Sequence, residues 1–401
     1  MEDIIRGFIH TFFGELSMKK IDKVIVLGGV GAVGIEASRD LVEYSDFSEI
    51  MIADFNIKKA KAFKREVKDR RVEIMKIDVN NEDELKNALK NYDIVTNALP
   101  FKYDDVVTKW AVRLGVHGVD VAASEYQLSL SPKAKEKGIT FVPGIGATPG
   151  TTNLMAKKGV QLLDKVEEIE IFWAAFRCTA PSPGLLYTTI WEFEPELEDR
   201  VIYENGEFKQ MPPFVGNKEV EFHEWIGKRL TVIVPHSETR TLPMLVPDIK
   251  RVVVRGTWPD ETMDLLKTLL YYGFYENKPV DFDGVSIKPM SFMYKFLLQS
   301  PYAKKTKVWA YGLVVDVYGE KNGKKAMVRL KNWHPKPEEW GGERAYFKPI
   351  GIPLSIGTQF IAKGRVSGPG VLPPELAYDP DEFFEELERR GIKITWELKY
   401  L

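Results

Sequence analysis

The chain has 401 residues, 44% hydrophobic and 28% charged, which suits a globular protein of two or three domains. A net charge of −2 gives no electrostatic case for nucleic acid or an anionic membrane as partner. A single cysteine excludes an internal disulfide framework and fits a reducing cytoplasm, the five histidines are scattered without metal-ligand spacing, and no apolar run is long enough to span a bilayer.

Residues 1–17 read as an N-terminal extension. Their acidic start and lack of a small-residue cleavage site make a poor signal peptide, while Ile5, Phe8, Phe12 and Phe13 would share one side of a helix. An apolar run over 24–27 then predicts a buried parallel strand. Gly29-Val30-Gly31-Ala32-Val33-Gly34 follows, then a helical stretch, then a strand over 50–53 that ends at Asp54. Strand, glycine loop, helix, strand and acid together form a dinucleotide cradle. Gly29 allows the tight turn, Gly31 lets the backbone approach a pyrophosphate, and Gly34 lets helix and strand pack closely. The helix N-terminus offers N–H groups and a positive dipole end to the phosphates. Asp54, 20 residues past Gly34, would accept from both ribose hydroxyls. It would also repel a 2′-phosphate, so NAD is the expected cofactor and NADP the less favoured one. Lys58 and Lys59 just downstream read as the solvated face of the next helix.

The same alternation continues, with helices expected over 58–68, 82–90 and 104–114 and strands over 72–78, 92–99, 117–122 and 139–142. That pattern predicts a doubly wound parallel sheet, whose ligands sit at the carboxyl ends of the strands. Asp78 and Asn97-Ala98-Leu99-Pro100 fall at that edge as further cofactor-binding candidates, the latter through backbone amides. Asp120 falls there too. Burial would raise its pKa toward neutrality, which suits a catalytic or amine-binding carboxylate; a helix or loop cap is the plainer reading. Glu125 reads as solvated. Residues 146–153 form a loop feeding a helix N-terminus, suited to a carboxylate or phosphate, or simply capped by Thr151 or Thr152.

Past residue 151 the texture changes. A helix over 152–163 leads to strands over 166–176, 185–193, 208–211, 230–234, 252–256, 307–318 and 326–330. Residues 320–324 form a hairpin turn and 260–272 a helix. This is an α+β unit with one large mixed sheet, after which helices over 354–363 and 380–390 close the chain. Arg177 ends an apolar strand, where its planar fork fits a substrate carboxylate or simply reaches solvent. His236, Glu238 and Arg240 lie within five residues of one loop, either as a polar site wall in which His236 relays a proton or as a loop held by its own ion pairs. Tyr187 and Trp191 read as pocket walls or as core.

Several segments together resemble the saccharopine dehydrogenase-like superfamily, which includes lysine 6-dehydrogenases and carboxynorspermidine dehydrogenases. They are Gly29 to Gly34, Asn97-Ala98-Leu99-Pro100, Gly118-Val119-Asp120, the stretch GATPGTTN at 146–153 and GVLPPE at 370–375. The resemblance implies an NAD-binding Rossmann domain over 18–150, with a C-terminal return over 350–401. It implies an inserted mixed-sheet domain over 151–349 for substrate and dimerisation, and hence a homodimer. The implied activity, in lysine or related amine metabolism, is NAD(P)-dependent oxidation of the C–N bond of an amino acid or related amine, or its reverse. Hydride passes between substrate carbon and nicotinamide. On that chemistry Asp120 and His236 are the catalytic candidates, and Arg177, Glu238, Arg240 and Tyr187 line the substrate. Residues 178–184 stand where such proteins often carry a glycine-rich GGLP-like stretch, so the resemblance speaks to fold and chemistry more than to substrate. The alternatives are an NAD-binding regulatory protein without catalysis, or a Rossmann reductase of other chemistry.

Overall fold

The computed structural model describes residues 20–276 and 278–401; the expected N-terminal extension lies outside the described residues. The first six strands are β1 (Lys23–Leu27), β2 (Glu49–Asp54), β3 (Val72–Lys76), β4 (Ile94–Asn97), β5 (His117–Val119) and β6 (Thr140–Val142). All pair in parallel, and with the short β17 (Gly370–Val371) they form a seven-stranded sheet in the order β17-β6-β5-β4-β1-β2-β3. β1 and β4 are buried almost throughout, as strands covered by helices on both faces must be. The strand order reverses beside β1, which has β2 on one flank and β4 on the other. That switch point opens a crevice at the carboxyl ends.

The second sheet has nine strands. They are β7 (Lys165–Phe176), β8 (Val201–Glu204), β9 (Glu207–Gln210), β10 (Lys218–Glu221), β11 (Lys228–Ile233), β12 (Arg251–Thr257), β15 (Ala310–Lys321), β16 (Lys324–Trp333) and β18 (Lys393–Tyr400). A separate hairpin joins β13 (Val280–Phe282) to β14 (Val285–Ile287). The sheet is mixed: β7 runs parallel to β12 and antiparallel to β15. Asn322 and Gly323, both at positive φ, turn β15 into β16 as the sequence predicts. The fold is thus the expected α/β architecture with a mixed-sheet second part.

Several elements differ from expectation. Glu238 and Arg240, read as part of a loop with His236, begin the helix Glu238–Leu245. The run 185–193, rich in β-branched and aromatic residues, is not a strand but part of the helix Pro183–Trp191. Ser182 caps it by accepting from Leu185 N–H, and Pro183 starts it with φ already set. Just beyond, buried Arg200 donates to the carbonyls of Glu192, Glu194 and Pro195. These local bonds outweigh strand propensity, which is a weak preference. The helix expected from 354 begins ten residues earlier, as Arg344–Ala362, with Pro349 and Pro353 inside it. It lies against the helix Gly34–Tyr44 so closely that a Cβ on Gly351 would come within 2.8 Å of Val33 O and Glu36 Cβ. Finally, the chain ends in β18, not in helix. Its alternation Lys-Ile-Thr-Trp-Glu-Leu-Lys-Tyr has the period of a strand.

The C-terminal part therefore serves both sheets. β17 extends the parallel sheet, and Arg390 forms a buried ion pair with Asp40 (Nε to Oδ2, 2.6 Å), while β18 joins the mixed sheet. Burial alone would neutralise Asp40, and its pKa is pushed up to about 6 despite Arg390.

His223 and His334 pack edge to face inside the second sheet, 4.6 Å apart. His334 Nδ1 lies 2.7 Å from Pro335 O, and its Nε2 accepts from Tyr311 N–H, so the ring fits only when neutral. Burial, then the neighbouring His223, depresses its pKa from 6.5 to about 4. The unfolded chain therefore binds the extra proton first as pH falls. Stability from this site is complete above pH 6.5 and is lost between 6.5 and about 4, by about 3 kcal/mol. Denaturant titrations across that range should show this slope, and His334→Gln should flatten it; an unchanged slope would remove His334 as its source.

Candidate active site

The crevice at β1 is built by exclusion. Gly28 takes φ +69, its N–H and that of Gly29 both donate to Ala53 O, and Gly31 N–H donates to Gly28 O at 2.9 Å. A Cβ on Gly34 would lie 2.1 Å from Gly28 O, so no side chain is tolerated there. The helix Gly34–Tyr44 starts at Val33 with no side-chain cap, leaving its N-terminus facing the loop. Asp54 is buried at the end of β2. Its Oδ2 accepts from Val30 N–H at 3.2 Å and its Oδ1 from Asn56 N–H at 2.8 Å. Each oxygen keeps a second lone pair, as ribose binding needs. Loop, helix end and acid together fit a nicotinamide dinucleotide.

The other cofactor candidates divide. Asp78 is exposed, with its carboxylate closing a turn onto Asn80. Ala98 N–H donates to Leu27 O and Leu99 N–H to Asn97 Oδ1, and Pro100 has none, so the amides proposed to hold the cofactor at this strand end are already bonded. Asn97 itself donates to buried Asp104 at 2.7 Å. Burial and then the charge of Asp120 push the Asp104 carboxyl well up.

Asp120 is fully buried at the end of β5. Its Oδ1 accepts from Gly144 N–H at 3.0 Å and its Oδ2 from Gln127 Nε2 at 2.5 Å, while its carbonyl accepts from Ile145 N–H at 2.7 Å. It therefore anchors the loop that leaves the parallel sheet. Burial raises its pKa to about 8 against the pull of those hydrogen bonds.

That loop crosses a cis Thr148–Pro149 bond and presents Thr148 to the second unit. Thr148 and Thr152 both donate to Glu238 Oε1, at 2.6 and 2.8 Å, and His236 Nδ1 lies 3.3 Å from Glu238 Oε2. Burial disfavours charge on both members of this pair. The charge of Glu238, the hydrogen bond to it and Glu192 outweigh burial and raise His236; His236 and the donors around Glu238 outweigh it and lower Glu238. His236 packs against Trp173 at 5.2 Å, and Trp173 meets Trp258 edge on at 4.7 Å. Tyr311 and Tyr346 continue this aromatic wall. Nearby Glu192 is buried and raised to about 7, burial outweighing the charges of His236 and Arg177. Glu375 is likewise buried and raised to about 7, and takes a 2.9 Å hydrogen bond from Asn153.

The structure thus brings His236 and Glu238 together and joins to them Thr148, Glu192 and four aromatic rings that sequence reasoning missed. Glu192 was hidden by reading its segment as a strand. Glu375 lay in a recognised segment, but nothing in that segment marked its carboxyl as buried. Three candidates sit otherwise. Both terminal nitrogens of Arg177 donate to the carbonyls of Cys178, Thr179 and Leu185 and to Thr189, so this guanidinium braces the helix Pro183–Trp191. Arg240 bonds Glu125 and Asp199 at the surface. Tyr187 is half exposed and stacks on Phe101, which also meets Trp191 at 5.2 Å, so this aromatic contact bridges the two units.

Buried polar atoms without a hydrogen-bond partner gather around this cluster, among them Trp173 Nε1, Arg177 Nε, Glu192 Oε2, Trp258 Nε1 and Glu375 Oε1, while Glu238 Oε2 has its ion pair with His236 Nδ1. Such orphans are scarce in folded proteins, and their convergence makes this place the candidate ligand site. Among the described residues no group of His, Cys, Asp or Glu has a metal-binding arrangement, and no helix is long and apolar enough to cross a membrane.

Fold and site define a dinucleotide-binding Rossmann protein with a buried, acid-rich second site. Residues 24–142 match the saccharopine dehydrogenase NADP-binding domain and residues 146–392 the saccharopine dehydrogenase C-terminal domain. The chain belongs to the saccharopine dehydrogenase family and is an oxidoreductase of that family. It is 23% identical to a carboxyaminopropylagmatine dehydrogenase from a Synechocystis species, over 92% of this chain and 96% of that one. It is 25% identical to a carboxynorspermidine synthase from Vibrio alginolyticus, over 93% and 96%. Its fold matches the apo saccharopine dehydrogenase (L-Glu forming) of Saccharomyces cerevisiae with a TM-score of 0.68 at 15% identity, covering 94% of this chain and all of that one. A homospermidine synthase from Legionella pneumophila, in complex with NAD, matches with a TM-score of 0.62 at 13% identity, over 95% and 91%.

Gly34→Ala should weaken dinucleotide affinity about tenfold or more, because the new Cβ displaces the Gly28 carbonyl and with it the loop. Calorimetric titration with NAD, beside circular dichroism to check the fold, reads this. Wild-type affinity would mean that the dinucleotide does not use this loop.

Proposed function

We propose that this protein is an NAD-dependent oxidoreductase acting on the C–N bond of a cationic amine or N-substituted amino acid. The observation that carries the reading is a pair of buried carboxyls beside the aromatic wall: Glu192, whose Oε2 has no partner, and Glu238, whose Oε2 meets the ring of His236. Two buried carboxyls inside an aromatic wall suit an ammonium group. The names of two relatives that span nearly the whole chain, carboxyaminopropylagmatine dehydrogenase and carboxynorspermidine synthase, point to the same substrate class.

The residues divide the work. Glu192 and Glu238 hold the cationic nitrogen. His236, whose charge Glu238 supports, takes the proton that leaves nitrogen on oxidation or returns it on reduction. Asp120 holds the Gly144–Ile145 turn and so sets the position of Thr148, acting through the loop rather than on substrate. Bound NAD supplies the hydride acceptor or donor, held by the loop from Gly29 to Gly34 with Asp54 at the ribose. The carboxylate of Asp54 favours NAD over NADP, whose 2′-phosphate it would repel. The single cysteine supports a cytoplasmic setting.

The decisive experiment follows nicotinamide absorbance with carboxynorspermidine, carboxyaminopropylagmatine, saccharopine and lysine, using NAD and then NADP. Turnover of at least one with NAD is expected; absence of turnover with any of them, despite tight NAD binding, defeats the reading. Glu192 ionises as pH rises through about 7, so substrate KM should fall across that range. Glu192→Gln should raise KM and remove this dependence while changing kcat less. His236→Asn should instead lower kcat by about a hundredfold, the usual scale for a lost general acid or base. Equal effects of both substitutions on KM and kcat would deny the two residues separate roles.

A further inference from the structure

Tyr311, a member of the aromatic wall, lies past the end of one of its two ladders. β15 pairs with β16 from Val314 opposite Lys331 to Lys321 opposite Lys324, and that pairing stops short of Tyr311. On the other flank β15 stays paired with β7, with Tyr311 opposite Ala175. Where β16 has left the ladder, side chains bond the Tyr311 backbone.

Asn332 stands in for the missing strand. Its Nδ2 donates to Tyr311 O at 2.9 Å, and its Oδ1 accepts from Leu313 N–H at 2.7 Å. One side-chain amide thus supplies the donor and the acceptor that a ladder would have supplied. His223 reaches the same carbonyl, with Nε2 3.1 Å away. A carbonyl only accepts, so this nitrogen carries the ring's proton. Burial lowers the His223 pKa, so the ring holds one proton, and its Nδ1 has no partner. A tight turn seats the ring: Ile226 and Gly227 N–H both donate to His223 O, and a Cβ on Gly312 would lie 2.8 Å from Phe222 and 2.9 Å from Ile226. The third contact, Tyr311 N–H to His334 Nε2 at 3.5 Å, is the weakest.

Tyr311 carries this hold into the site. Its ring lies 6.5 Å from Trp173 and 5.2 Å from Tyr346. Burial pushes its hydroxyl pKa well up; Tyr346, Glu192 and Glu238 add to that, and Arg177 opposes it. A neutral aromatic ring beside two carboxyls is one side of an ammonium site. A buried carbonyl that loses its donors is costly, and the ring on the same residue moves with any backbone shift that finds new ones.

We propose that Asn332 and His223 are positioning residues of the substrate site, fixing the Tyr311 ring through its carbonyl so that ring, Glu192 and Glu238 close on one ammonium group. This rests on the amine-binding reading above. Both residues act through Tyr311 and do not touch the substrate.

Steady-state kinetics with whichever of the four amines the wild type turns over tests this, with NAD titration as the check that each variant folds. Asn332→Ala and His223→Leu should each raise KM about tenfold, the scale of a lost buried hydrogen bond. kcat should stay within about threefold and NAD affinity should not change. His223→Gln keeps an N–H donor at that reach and should restore most of the wild-type KM. Tyr311→Ala should raise KM at least as much, and in that background Asn332→Ala should add nothing, because the ring it acts through is gone. Unchanged KM in both single variants, or a full further rise on adding Asn332→Ala to Tyr311→Ala, would overturn the positioning role and leave the amine reading standing. A wild type that neither binds nor turns over any of the amines would defeat the amine reading itself, and this proposal with it.

Discussion

Glu238 is a carboxylate removed entirely from water, and the junction of the two units is organised around keeping it charged. An ion in that position is tolerable only if its oxygens are bonded and a counter-charge stands close. Thr148 and Thr152 reach it from the loop that leaves the parallel sheet, and His236 reaches it from the connection after β11. The loop is in turn pinned by Asp120, and Asn153, one residue past Thr152, reaches Glu375 from the C-terminal segment. Two stretches far apart in sequence thus meet at one charge, and Asp120 and Glu375 hold the first of them in place. The two threonines bond one oxygen and His236 stands 3.3 Å from the other, so donors and counter-charge are divided between them.

Two buried arginines brace the helix that ends beside Glu192. Arg177 and Arg200 are both buried, and both direct their donors at backbone carbonyls around the helix Pro183–Trp191. That helix lacks the ladder partners a strand would have had, and its ends need such donors. The terminal nitrogens of both guanidinium groups are thus occupied by the protein itself. The Nε of Arg177 stays unbonded and its guanidinium lies over the Tyr346 ring at 5.4 Å, so the aromatic wall carries a cation as well as the unbonded Glu192 Oε2.

The cofactor half was legible in sequence because its physics is local. Gly34 is required by a contact six residues away, and Asp54 by the strand next door, so spacing alone exposes both. Family resemblance supplied the second half's architecture. The substrate wall was not legible, because Trp173 on β7, Tyr311 on β15 and Tyr346 on a helix share no sequence pattern and meet only when the mixed sheet closes. The segment 185–193 misled for a different reason: composition favours a strand, and only Ser182, Pro183 and distant Arg200 tip it to helix. That error concealed Glu192, whose importance depends on where a helix ends.

The match to solved structures at 15% and 13% identity, with TM-scores of 0.68 and 0.62, says that this frame survives replacement of most side chains. The reason is visible in how the frame is divided. The two sheets carry the pairing and most of the core. Thr148, Glu192, His236 and Glu238 all stand on the connections between strands: β6 to β7, β7 to β8, and β11 to β12. Side chains there can change charge without disturbing a ladder, whereas Trp173 on β7 cannot be exchanged so freely, since a Cβ on Gly256 of the neighbouring strand would already meet its ring at 2.3 Å. The aromatic floor is therefore fixed by the sheet, and the charges above it are set by loops. Glu192 stands just past the end of one helix and Glu238 at the start of another, Glu238–Leu245, so both charges are placed by helix ends in these connections.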